Sequence, residues 1–198
     1  MSIAISSFKF KGRLLLGIAL AVLLAACGAP AAGTEGGSSS KTLTGVPVAD
    51  AEPEIGFLVS MYTGKSAVGG AEIQFADLQG QPIVLNFWAG LCPPCRAEMP
   101  DLQEFYDQHQ EDVLLLGVDV GQFTGLGNQE DALKLLNSLG ITYPTGFTTD
   151  GSVIREFGVF SMPTTLFISA DGEIFRKWSG ALNLDKLVEI TNEMLAAG

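Results

Sequence analysis

The sequence predicts an α/β protein with a mixed central sheet flanked by helices on both faces. Three observations carry this. The runs Ile83 to Trp88 (I-V-L-N-F-W) and Val113 to Val118 are almost continuously apolar, as strands buried on both faces are. Stretches with apolar residues at helical spacing alternate with them. Near the C-terminus, Ala170-Asp171-Gly172 between two β-rich runs marks a hairpin.

Taken in order, Ile55 to Tyr62 and Gly70 to Phe75 read as two strands around a Gly-containing turn, an N-terminal β-hairpin. The buried strand Ile83 to Trp88 leads into a helix that begins near Cys92 and Pro93 and reaches about His109, with Met99, Leu102, Phe105 and Tyr106 on one face. Val113 to Val118 is the next strand. Asn128 can cap a helix whose Ala132, Leu135, Leu136 and Leu139 recur at helical spacing, and Gly140 ends it. Thr165 to Ser169 and Glu173 to Trp178 flank the hairpin turn. Asn183 caps a last helix with Leu184, Leu187, Val188, Thr191, Met194 and Leu195 on its inner stripe.

The first 27 residues have a different character. Lys9, Lys11 and Arg13 form a positive region, followed by an apolar run from Leu14 to Ala26. Such a run spans only about 20 Å as a helix, short of a bilayer core of about 30 Å, so a secretory signal is expected over a membrane span. It ends Leu24-Ala25-Ala26-Cys27, which resembles a bacterial lipobox and implies lipidation of Cys27 and a membrane anchor through its acyl chains. Residues 28–50 are poor in large apolar side chains and are expected to be a flexible tether, with residues 51–198 as the folded domain. The expected location is extracytoplasmic, lipid-anchored to a bacterial cell membrane.

Charge excludes one class of partner. The whole chain carries -11, and without residues 1–27 it has 8 basic against 22 acidic residues. A surface so negative repels phosphate backbones, so no nucleic-acid partner is expected.

The chemistry is concentrated at Cys92-Pro93-Pro94-Cys95, a C-x-x-C at a strand–helix junction. A cysteine at a helix N-terminus gains thiolate character, and the thiolate is the form that attacks a disulfide. A second cysteine one turn on can attack the mixed disulfide and release the product. Cys92 is the expected nucleophile and Cys95 the resolving thiol. Half of a zinc site has the same spacing, but it needs two further ligands, for which the sequence offers only His109 and Cys27.

The residues Asn86-Phe87-Trp88-Ala89, Cys92-Pro93-Pro94-Cys95-Arg96, Glu98 and Pro100, the lead-in Leu78-Gln79-Gly80-Gln81-Pro82, and Gly158-Val159-Phe160-Ser161-Met162-Pro163-Thr164-Thr165 together resemble the TlpA/ResA-like branch of the thioredoxin superfamily, extracytoplasmic thiol–disulfide oxidoreductases. The resemblance covers about residues 51–198. It implies a thioredoxin-like fold with the N-terminal hairpin as an extension and a helix and strand inserted between Asp119 and Phe157. It implies no cofactor beyond a redox-active Cys92–Cys95 disulfide. It also implies a cis Pro163 beside that disulfide, with the Met162 backbone free to pair with a substrate, and an acidic Glu98 close to the cysteines as proton relay. Asn86 stands where thioredoxins proper hold a buried Asp. Trp88, Leu91, Pro93, Pro94 and Met162 are the expected substrate-binding residues, although packing under the motif is the favoured reading for Trp88. Leu91 departs from the family, which has Trp or a polar residue there, and makes the rim more apolar.

Pro93 and Pro94 offer no N–H, so the Cys92 thiolate has few local donors, and strong thiol oxidants owe their potential to a stabilised thiolate. A reducing protein is therefore expected. The resemblance implies exported protein disulfides as substrates, such as c-type apocytochromes or copper-centre assembly proteins, and a membrane thiol shuttle as electron donor. Two alternatives share the fold: a thiol peroxidase of peroxiredoxin type, and a copper metallochaperone holding the metal between two thiolates.

Overall fold

Alternate residues of the strand Ile83–Trp88 (β3) point to opposite sides of a sheet, and both sides are buried. Ile83, Leu85 and Phe87 join one apolar cluster, while Val84 and Trp88 join the other. This period of two, with no exposed position, explains the apolar run and sets β3 in the middle of the molecule. The computed structural model describes residues 56–198. The expectations for the signal and lipobox Cys27 (1–27) and the tether (28–50) lie outside the described residues.

The sheet has seven strands: β1 (Leu58–Thr63), β2 (Glu72–Gln74), β3, β4 (Leu114–Asp119), β5 (Thr145–Phe147), β6 (Thr164–Ile168) and β7 (Ile174–Ser179). Their order is β2-β1-β5-β4-β3-β6-β7. β3, β4 and β5 run parallel, and the remaining neighbours pair antiparallel. The N-terminal hairpin is present as β1 and β2, and it adds to the sheet through β5. The inserted helix and strand are α3 (Gln129–Leu139) and β5.

One face of the sheet is covered by α1 (Pro93–His109), α3 and α5 (Leu184–Ala197), which bury Met99, Leu102, Phe105, Leu135, Leu136, Leu187 and Ile190 against it. The other face packs Phe57, Phe75, Phe87 and Phe157 ring against ring. Each fully buried side chain of this size contributes about 1.5–3 kcal/mol. Both faces are therefore closed, as the sequence pattern requires.

Several boundaries differ from expectation. The first strand starts at Leu58 and the second ends at Gln74. Phe75 bonds its N–H to the Phe57 carbonyl and then opens a 3-10 turn, Phe75–Leu78. Two short helices, α2 (Gly121–Thr124) and α4 (Val153–Glu156), were not expected. Asn128 forms a full capping box with Asp131, and Asn183 caps α5 through the Lys186 N–H.

Candidate active site

The C-terminal ends of β3 and β4 deliver the chain to one point. β3 ends at Trp88, and residues 89–91 turn into α1, whose N-cap is Cys92. Pro93 and Pro94 occupy the first helical positions, where a missing N–H is no loss and the fixed φ suits the helix. Cys92 and Cys95 form a disulfide with an S–S distance of 2.04 Å. The two prolines leave Cys95 N–H as the donor that reaches Cys92 Sγ, at 3.2 Å. Both cysteines are buried, Cys92 at 2% and Cys95 at 0% exposure.

The Met162–Pro163 peptide bond is cis. Pro163 is buried and Met162 half-buried, and no backbone hydrogen bond joins Met162 to another described residue. Between this loop and the disulfide runs a groove of about 340 Å³, lined by Cys92, Pro93, Pro94, Leu126, Phe160 and Met162 among others, none of them charged. Leu91 stands 59% exposed and Phe160 87% exposed beside it. An aromatic side chain this exposed on a groove lining is the kind of feature that marks a contact surface. Lys177 Nζ lies 5.6 Å from the Phe160 ring centroid and donates to the Phe157 and Gly158 carbonyls, which holds the loop in place. Phe160 is a residue that the sequence reading missed, although it lies within the motif around Pro163.

Glu98 lies one helical turn past Cys95, on the side of α1 that faces the sheet, and is 1% exposed. Its Oε1 accepts from the Asn86 side-chain amide at 2.9 Å and its Oε2 from the Leu182 N–H at 3.0 Å. Burial pushes its pKa from 4.5 up to about 7, against the lowering effect of those two bonds. A second cleft, of about 370 Å³ and lined by Asp101, Trp178, Leu182, Asn183 and Lys186, reaches Glu98. The Asn86 amide also donates to Thr165 Oγ1 at 3.0 Å.

Trp88 requires a correction. Its ring is fully buried, its Nε1–H donates to Thr145 Oγ1 at 2.9 Å, and that hydroxyl donates on to the Gly117 carbonyl. A side chain with no exposed surface cannot bind a substrate; Trp88 is the floor under the site. His109, the one histidine, sits at the far end of α1 with its ring against Phe105, roughly 20 Å along the axis from Cys95 at about 1.5 Å per residue. It is out of reach as a partner for the two sulfurs.

Gly90 is fixed by close approach. A Cβ there would lie 2.5 Å from Ala132 N and 2.6 Å from the Asp131 carbonyl carbon, so the turn before Cys92 rests directly on the backbone of α3.

A disulfide at a helix N-terminus beneath a cis-proline loop, on a sheet of this order, defines a thioredoxin-like redox enzyme. Comparison with known proteins agrees: residues 58–177 match the AhpC/TSA family, and the chain belongs to it. Among its relatives, the thiol-disulfide oxidoreductase ResA of Oceanobacillus iheyensis is 34% identical over 127 residues, covering 64% of this chain and 64% of that protein. The crystal structure of StoA from Bacillus subtilis superposes with a TM-score of 0.57 at 28% identity, over 70% of this chain and 99% of that one. The exposed lipoprotein thioredoxin of Streptococcus pneumoniae superposes with a TM-score of 0.58 at 25% identity, over 70% of this chain and 98% of that one. These relatives place the chain with the thiol–disulfide oxidoreductases of ResA and StoA type.

Proposed function

We propose that this protein reduces disulfides of exported proteins outside the cytoplasm, through Cys92 and Cys95, while tethered to the membrane by a lipid on Cys27. The observation that carries the reading is the disulfide at the α1 N-terminus facing the Met162–Pro163 loop across an uncharged groove. In the reduced protein, the Cys92 thiolate attacks one sulfur of the substrate disulfide. The substrate S–S bond breaks, a Cys92–substrate disulfide forms, and the other substrate sulfur leaves as a thiolate that takes up a proton. Cys95 gives its proton to the Glu98 carboxylate and attacks Cys92 Sγ, which frees the second substrate sulfur and closes the Cys92–Cys95 bond. Two electrons pass to the substrate.

The lining of the groove by Pro93, Pro94 and Met162 supports this reading. Pro93, Pro94 and Met162 border the approach to Cys92, Leu91 is the exposed residue just before it, and the unpaired Met162 backbone can add one extended strand of substrate. Glu98, with a pKa of about 7, can take and return a proton near neutrality. The narrower substrates, c-type apocytochromes or copper-centre assembly proteins, and a membrane thiol shuttle as donor, rest on the likeness to ResA-type proteins. The lipid anchor rests on the Leu24-Ala25-Ala26-Cys27 motif, and the pneumococcal relative is named a lipoprotein.

The test is a trap. Cys95→Ser leaves Cys92 stalled in mixed disulfides, and mass spectrometry of the adducts from intact cells names the substrates. Absence of any adduct, with Cys92 open to alkylation, overturns the reading. Hydrogen peroxide consumption by the reduced protein that disappears in Cys92→Ser would replace it with a peroxidase. Loss of detergent-phase partitioning in Cys27→Ala checks the anchor.

A further inference from the structure

Asp119 ends β4 directly beside Trp88, its register partner on β3, and its carboxylate is 3% exposed. Both oxygens are engaged. Oδ1 accepts from the Gly121 N–H at 2.9 Å, and Oδ2 accepts from the Tyr62 hydroxyl at 3.1 Å. Tyr62 comes from β1, in the N-terminal hairpin, and its ring packs on Phe147 of β5. From Gly121 a continuous run of backbone bonds leads to the nucleophile. Leu126 N–H donates to the Gly121 carbonyl at 3.2 Å, and Leu91 N–H donates to the Leu126 carbonyl at 2.7 Å. Cys92 is the next residue. On the near side, Val120 N–H donates to the Trp88 carbonyl at 2.9 Å, and a Cβ on Gly121 would lie 3.3 Å from Ala89 Cβ. Residues 120–126 thus hang from the Asp119 carboxylate and grip the 88–91 turn from below.

We propose that Asp119 is a positioning residue for the thiol chemistry: its carboxylate, shared between Tyr62 and Gly121, fixes the 120–126 loop and through it the turn that presents Cys92. The inference rests on the redox role assigned to Cys92. No atom of Asp119 need touch the substrate. The ionised form matters because it accepts on both oxygens in charge-assisted bonds; protonation of Oδ2 reverses the Tyr62 bond, so that the acid donates to the phenol oxygen, and leaves two weaker neutral bonds. Burial raises the Asp119 pKa from 3.8 to about 6, the Gly121 and Tyr62 bonds hold it down, and the charge of Asp131 on α3 raises it. β3 and β5 place the uncharged Trp88 and Phe147 opposite it in register. The loop is therefore expected to loosen as pH falls through about 6.

The experiment follows the rate at which the reduced full chain attacks dithiobis-nitrobenzoate, divided by its thiolate fraction, across mildly acidic to mildly alkaline pH. Wild type is expected to show an inflection near pH 6, separate from that of Glu98, which is identified by its loss in Glu98→Gln. Asp119→Asn, whose amide resembles the protonated acid, should hold the slow low-pH rate throughout, about fivefold below wild type in the alkaline range, the size expected when charge-assisted bonds become neutral ones. Tyr62→Phe removes a bond that holds the carboxylate's pKa down, so its inflection should move upward. An inflection that survives in a natively folded Asp119→Asn protein, or that Tyr62→Phe leaves in place, overturns the proposal. Should Asp119→Asn fail to fold, the Tyr62→Phe shift decides alone. A wild-type chain that does not react with the probe would instead overturn the redox role of Cys92.

Discussion

Asn86 and Glu98 meet at 2.9 Å between the central strand and the helix that carries the cysteines. The pair places a carboxyl group in the core, one turn below Cys95, with a partner that cannot itself accept a proton. A buried acid with no cation to pair with holds its proton to an unusually high pH, even though the two hydrogen bonds it accepts pull the other way.

The first prediction concerns that proton. Because the Glu98 pKa rises from 4.5 to about 7 on folding, the folded state binds the proton more tightly than the unfolded chain. Its contribution to stability is complete below the unfolded value and is lost as pH rises through the folded one. Glu98→Gln, which keeps an acceptor for the Leu182 N–H, should match wild type in acid and exceed it by about 3 kcal/mol in mildly alkaline solution. Denaturant titration of the oxidised proteins over a pH series checks this; parallel curves would refute it.

Phe160 tests the rim. With 87% of its surface exposed, its removal should leave stability unchanged within about 0.5 kcal/mol. Phe160→Ser should nevertheless raise KM about tenfold for a peptide disulfide with a bulky apolar residue beside its cysteine, and not for a small disulfide. Equal effects on both substrates would remove Phe160 from substrate selection.

Trp88 should behave in the opposite way. Trp88→Phe shrinks a fully buried ring and leaves the Thr145 hydroxyl without its donor, at a cost of about 2–4 kcal/mol. KM should stay at its wild-type value, measured well below the unfolding midpoint. A KM change with stability intact would restore a substrate-binding role.

Gly90→Ala drives a methyl group into the backbone of α3, where neither side can give by a side-chain rotation. A loss of about 3 kcal/mol is expected, together with slower attack by Cys92. Retained stability and rate would show that the turn can move away from α3.

Much of this was legible in the sequence because it is local. β3 announces itself through an unbroken apolar run, and α1, α3 and α5 through period 3.6, with caps at Asn128 and Asn183. The redox pair and Pro163 lie in short contiguous motifs. What stayed hidden is of two kinds. α2 and α4 have four residues each, too few for any periodicity to register, and the three-residue β5 was expected only through the family resemblance. The contacts Tyr62–Asp119 and Trp88–Thr145 each join residues 57 apart, and nothing in either neighbourhood names its partner. The packing of Trp88 under the motif was legible, but its Thr145 partner was not, and the substrate-binding role also expected of it is excluded by its burial.

The groove at Cys92 and the cleft at Glu98 share no lining residue. On the proposed chemistry this separates two kinds of traffic. Electrons cross at the Phe160 side, under a bound polypeptide that covers Cys92, while the proton shed by Cys95 has its own exit beside Asp101 and Lys186. A large substrate can then plug the first opening without stopping the second, and turnover need not wait for the product to leave before the acid resets.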